Sequence, residues 1–226
     1  MKRSQRICAM LMAVTMMVTL LFNGGSLVFA APDAPKDSFE VFGVEDVTYE
    51  IYPIPQEIAY GEGVLQFTSL VNVVFDDAGI DEATVTRTQE LVAGKDLVYS
   101  EGEAMRTGKT NLLVGIWGSG GAADQYLRGL GLGSDEHFAK TDAHMVVIRD
   151  NVMAVVGRDT DAAFFGLTTL RRIFAQTKGY QLRELAVTDY SDAKWRGFIE
   201  GYYGIPWSNE DRMSLMEFGG EFKMNS

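Results

Sequence analysis

Between residues 49 and 187, short runs of β-branched and aromatic residues alternate with capped, helix-forming stretches, and this alternation restricts the available folds more than any other feature. The run Asn111-Leu112-Leu113-Val114-Gly115-Ile116-Trp117 is apolar almost throughout and stops at a glycine, as a strand buried on both faces would. Residues 144–156 hold two such runs split by Asp150-Asn151, residue types that tolerate left-handed backbone, which predicts a hairpin. Further strands are predicted over 49–55, 64–75, 97–99 and 181–187; Pro53 and Pro55 suit only an edge of a sheet. Helices are predicted over 81–93, ending at Gly94, over 122–130, and over 162–176 behind the cap-forming Asp159, Thr160 and Asp161. Strands interleaved with a few helices over 47–190 predict an α+β domain, an α/β sandwich with helices packed on a sheet.

Ahead of this domain the chain reads as an export signal. Lys2, Arg3 and Arg6 precede a 16-residue apolar run at 7–22, broken only by Thr15 and Thr19, and Val28-Phe29-Ala30 forms a cleavage site before Ala31. A spanning helix needs about 20 apolar residues, so a cleaved signal over 1–30 is expected, with no integral membrane span after cleavage and a secreted or cell-surface destination. Residues 31–46, with Pro32 and Pro35 among polar residues, read as a flexible leader. Removing three of the 20 basic residues and none of the 31 acidic ones takes the formal charge from −11 to −14. So acidic a chain offers no electrostatic footprint for nucleic acid. Cys8 is the single cysteine and lies within the signal, which excludes disulfides, thiol catalysis and cysteine-ligated metal from the remainder.

Residues 195–226 are of another kind. Gly197-Phe198-Ile199-Glu200-Gly201 reads as a short strand, 202–207 as an aromatic loop holding Gly204 and Pro206, and Ser208 with Asp211 as a capping box opening a helix. Met213, Met216, Phe218 and Phe222 roughly keep one helical face and read as a packing stripe. Strand, glycine-rich loop and helix make the first βα unit of a (β/α)8 TIM barrel, in which functional residues lie in the loops after the strands.

The stretch Arg196-Gly197-Phe198-Ile199-Glu200-Gly201-Tyr202-Tyr203-Gly204-Ile205-Pro206-Trp207, followed by Arg212 and by Phe222-Lys223-Met224-Asn225, resembles the start of the catalytic barrel of glycoside hydrolase family 84. These are β-N-acetylglucosaminidases, including secreted bacterial enzymes often labelled hyaluronidases. Upstream, Ile51-Tyr52-Pro53-Ile54-Pro55-Gln56 and the stretch 157–170 are similar to the accessory domain of hexosaminidase type that such enzymes carry. The resemblance implies hydrolysis of terminal β-linked N-acetylglucosamine with retention, the substrate's own acetamido oxygen forming an oxazoline while two aspartates orient it and move the proton. It implies a carbohydrate partner bearing N-acetylglucosamine and no cofactor or metal. For substrate binding it points to Gly201, through its backbone carbonyl, and to Tyr203 in the same loop. A barrel takes about 250 residues, of which residues 195–226 supply 32. The catalytic aspartate pair is therefore expected outside this sequence, the chain being an N-terminal fragment and catalytically inert alone.

Three other patterns imitate functional sites. Asp76-Asp77 follows an apolar strand and mimics a catalytic pair, but lies far upstream of the barrel segment and reads as a solvated loop or the approach to a helix N-terminus. Gly118-Ser119-Gly120-Gly121-Ala122-Ala123 meets the dinucleotide pattern G-x-G-x-x-A, yet in a glycine-rich region of an exported chain it reads as a turn. His137 and His144 have no metal-ligand spacing and read as exposed or capping residues. Two rival functions stay open at this level: a family 20-like β-hexosaminidase with an Asp-Glu pair, and a non-catalytic glycan-binding or adhesion module. No feature of the sequence specifies an oligomer.

Overall fold

The computed structural model describes residues 44–76, 79–177, 179–201 and 204–226. The signal and most of the leader lie outside these residues, as do Asp77 and Tyr203. After a 3-10 turn at Val44–Asp46, the elements are β1 (Glu57–Gln66), β2 (Leu70–Phe75), α1 (Glu82–Ala93), β3 (Val98–Glu101), β4 (Thr110–Ile116), α2 (Ala122–Gly129), α3 (Asp135–Phe138), β5 (His144–Arg149), β6 (Val152–Gly157), α4 (Thr160–Gln176), β7 (Gln181–Asp189) and α5 (Asn209–Glu221). The strands form one mixed sheet in the order β1-β7-β5-β6-β4-β2-β3. β3, β2, β4 and β6 run parallel, and β5, β7 and β1 complete the sheet with antiparallel pairings.

The apolar runs are continuous because both faces are covered. Successive residues of β4 point to opposite sides: Leu112 and Val114 join Leu167, Leu170, Ile173 and Phe174 of α4 and Leu91 and Val92 of α1. Leu113 joins Ala123 and Leu127 of α2 and Phe138 of α3 on the other face. The helices begin where the caps predict: Asp81 accepts from Thr84 N at 2.8 Å and Asp159 from Ala162 N at 2.9 Å. The hairpin at Asp150-Asn151 forms between β5 and β6, with Asp150 at φ 53°.

Four expectations are corrected. The stretch 64–75 is not one strand: it holds the end of β1 and the whole of β2, which lie apart in the sheet. Residues 49–55 form no strand; pairing starts at Glu57, beyond Pro53 and Pro55, whose missing N–H groups cannot serve a ladder. Tyr49 and Ile51 are nevertheless buried, at 6% and 4% exposure, so their apolar character reports core contact rather than strand pairing. Residues 197–201, expected as the opening strand of a barrel, join no ladder, because no strand among the described residues runs beside them; the Arg196 carbonyl instead accepts from Asn225 N and Ser226 N at 2.8 and 3.0 Å. The expected stripe on α5 is not core among the described residues either: Met213, Met216 and Phe218 are all exposed.

Candidate functional site

Residues 195–226 reach the sheet domain through the C-terminal end of α5. Glu221 receives the guanidinium groups of Arg87, on α1, and Arg171, on α4, and its carbonyl accepts from Arg172 at 3.1 Å. Beyond it, Lys223 is buried in the left-handed conformation, φ 56°. Its Nζ donates to Asp189 Oδ2 at 2.6 Å and lies 3.1 Å from His144 Nε2. Around this centre His144 Nδ1 lies 2.8 Å from the Asp142 carbonyl and His137 Nε2 lies 3.4 Å from the His144 carbonyl. Arg196 pairs with Asp142 at 2.7 Å and donates twice to the Lys223 carbonyl. The histidines, read from sequence as exposed or capping, are thus buried parts of a contact between β5, β7 and the end of the chain. Among the described residues no group of three or more His, Cys, Asp or Glu side chains is arranged to hold a metal ion.

Burial pushes the His144 imidazole well below its usual range, with Lys223 adding a like charge, and burial also lowers His137. Unfolded histidines take up a proton near pH 6.5, while the folded chain refuses it at His144. Stability is therefore present above that pH and lost below it, by about 1.4 kcal/mol per pH unit for His144 until the folded ring titrates. A urea midpoint lower at pH 5.5 than at pH 7 is the expected result; an equal or higher one contradicts it.

At the other end of α5 the capping box predicted from Ser208 and Asp211 is formed, Ser208 Oγ accepting from Asp211 N at 3.1 Å and Asp211 Oδ2 from Ser208 N at 3.2 Å. Hydrogen bonds from Ser208 hold the Asp211 carboxyl below the usual range. The loop before the helix is closed by a contact the sequence did not disclose. Glu200 Oε2 accepts from Arg212 Nε at 2.8 Å, Oε1 accepts from Arg212 Nη2 at 2.9 Å, and Oε1 also accepts from Trp207 N at 3.2 Å. Gly201, singled out for substrate contact, is exposed directly after Glu200. Tyr203 lies outside the described residues.

The imitations resolve differently. Asp76 is not solvated: it is buried, accepting from Ser119 Oγ at 2.7 Å, Ile116 N at 3.1 Å and Ala123 N at 3.3 Å. The glycine-rich turn at 118–121 folds around it, so the anion at the N-terminus of α2 is the chain's own carboxylate, in the place where a dinucleotide phosphate would sit.

Residues 48–190 match the model of glycosyl hydrolase family 20, domain 2, and residues 196–226 match that of beta-N-acetylglucosaminidase. A solved structure named CpGH84D is 51% identical over 79% of this chain, with a TM-score of 0.76. The chain belongs to glycoside hydrolase family 84. Within that family it is also similar to CpGH84B, at 21% identity over 79% of this chain and 29% of the other, TM-score 0.63, a likeness of fold. The beta-N-acetylhexosaminidase from Bacteroides fragilis NCTC 9343 shares the fold at 14% identity over 77% of this chain and 31% of its own, TM-score 0.55. The family 84 chain spans 30% of the length of CpGH84D. Its sheet domain is the hexosaminidase-like domain expected from the sequence, and among the described residues no helix is long and apolar enough to cross a membrane.

Proposed function

We propose that this chain is the N-terminal part of an exported glycosidase that releases terminal β-linked N-acetylglucosamine from glycoconjugates or glycosaminoglycans with retained configuration. The observation that carries the reading is the segment 196–226, which matches the β-N-acetylglucosaminidase model and places Gly201 in an exposed loop at the N-terminal side of α5. In this reading the Gly201 carbonyl accepts hydrogen bonds from sugar hydroxyls, the missing side chain allowing close approach, and Tyr203 lines the same subsite. The substrate's acetamido oxygen attacks the anomeric carbon, and an aspartate pair supplied from outside residues 1–226 orients the acetamido group and acts as general acid, then general base. The sheet domain over 47–190 precedes the start of a barrel at 195–226, in which residues 197–201 become the opening strand when paired with strands supplied from outside residues 1–226. Residues 1–30 direct export and are removed before Ala31, leaving 31–46 as a leader.

The polypeptide 31–226 is expected to show no hydrolysis of an aryl N-acetyl-β-glucosaminide, whereas the protein as its gene encodes it hydrolyses the compound and releases the β-anomer first by proton NMR. Turnover by 31–226 comparable to that of the encoded protein, or an inverted first product, overturns the reading.

A further inference from the structure

A carboxylate beside a sugar-contacting glycine is an obvious suspect for proton transfer in a glycosidase. The geometry gives Glu200 another task. Both its oxygens are committed, in a two-point fork to Arg212 and a third bond to the Trp207 amide. Its carboxyl is held below the usual range, first by the hydrogen bond from Arg212, so it stays ionised and has no proton to give a leaving group.

We propose that Glu200 and Arg212 are positioning residues, a clasp that joins the two ends of the loop 201–207 and fixes the Gly201 carbonyl toward the sugar. The inference rests on the glucosaminidase reading of that loop. Gly204 and Pro206 leave the loop with a glycine pivot and one amide fewer for pairing, and its exposed residues Ile205 and Trp207 do not anchor it by burial. Removing the Glu200 carboxylate breaks the bonds that tie residue 200 to residues 207 and 212. Residue 200 then no longer reports the position of residue 207, and the carbonyl of Gly201 samples orientations that do not meet the substrate. The planar guanidinium matters because its two parallel donors set direction as well as distance, which an ammonium cannot do. Since the pair is partly solvent-exposed, it adds little to global stability, so its loss is legible in binding rather than in folding.

The test compares wild type, Glu200→Gln and Arg212→Lys in the protein as its gene encodes it, with an aryl N-acetyl-β-glucosaminide as substrate and with hydrogen exchange at the Trp207 amide. Glu200→Gln is expected to raise KM about tenfold with kcat within about threefold, as expected when ground-state and transition-state binding are lost together. Both limbs of its kcat/KM pH profile stay in place, and the Trp207 amide exchanges faster. Arg212→Lys, which keeps the charge and loses the fork, moves KM in the same direction. An unchanged KM overturns the inference, and a collapse of kcat with loss of one pH limb overturns it in favour of proton transfer by Glu200. If Glu200→Gln does not fold, Arg212→Lys decides by the same criteria. If wild type does not hydrolyse the substrate, the functional reading fails, and the Trp207 exchange rate still decides whether the clasp holds the loop: faster exchange sustains it and unchanged exchange overturns it.

Discussion

Asp76→Ala is expected to lower the unfolding free energy by about 3 kcal/mol, on the basis of about 1–3 kcal/mol for a buried donor left without its acceptor, met in full by the buried Ala123 amide and in part by the half-buried Ile116 amide, while the hydroxyl of the exposed Ser119 can turn to water. Three donors lose that acceptor at once: the amides of Ile116 and Ala123 and the hydroxyl of Ser119. The residue links three elements, since it follows β2, accepts from the end of β4 and sits at the first turn of α2, where a negative charge also meets the positive end of the helix dipole. Asp76→Asn keeps the shape but turns one oxygen into a donor facing donors, and a loss of about half that size is expected. Alanine at Gly115 or Gly121 is expected to act like the Asp76 substitutions, because a Cβ at either position collides with the carboxylate. Urea unfolding of the four variants checks this; an Asp76→Ala midpoint within error of wild type shows that water or a neighbouring group replaces the carboxylate.

That residue also shows where sequence reasoning reaches its end. The elements that Asp76 joins are legible, because a strand buried on both faces leaves an unbroken apolar run and helix starts leave their caps in the sequence. What binds them is not legible, because Asp76 and Ala123 are 47 positions apart and nothing local marks the partnership. The misreading of 49–55 has a related cause. Tyr49 and Ile51 are apolar because they are buried, and burial without pairing leaves the same local signature as a strand.

The candidate site divides in the same way. The capping box of α5 is written within four residues and is formed as read. The Glu200–Arg212 fork spans a loop and pairs residues 12 apart, a separation with no periodic meaning. His144 reads in the sequence as an exposed or capping residue because its partners, Asp189 and Lys223, stand 45 and 79 positions later in the sequence. Only β5 lying next to β7, with the chain returning past α5, brings the three side chains together.

Lys223→Met is expected to be the most damaging change at that junction. Methionine matches the length of the buried stem but leaves Asp189, at 6% exposure, without its cation; removing one member of a buried pair typically costs about 3–5 kcal/mol. The remaining contacts of Asp189 are the amides of Tyr190 and Gln56 on its other oxygen and the His144 ring 3.4 Å from Oδ2. The loss has two outlets. Residues 195–226 can detach and admit water to the carboxylate, which exposes that segment to protease. Alternatively His144, freed from the like charge of Lys223 and left beside Asp189, takes a proton and replaces the missing cation. Both outlets have the same signature in titration: the His144 pKa rises in the variant, so the stability lost below pH 6.5 in wild type is partly retained. Replacing both members, Lys223→Met with Asp189→Leu, removes the stranded charge and is expected to recover part of the loss, because a buried ion pair exchanged for apolar groups of similar volume is often near neutral, while the amides of Tyr190 and Gln56 still lose their acceptor. Proton NMR of His144 across pH 4–8, with urea unfolding of the single and double variants, tests this. A His144 titration unchanged by Lys223→Met, or a double variant no better than the single one, shows that the lysine is held by its packed stem and not by its charge.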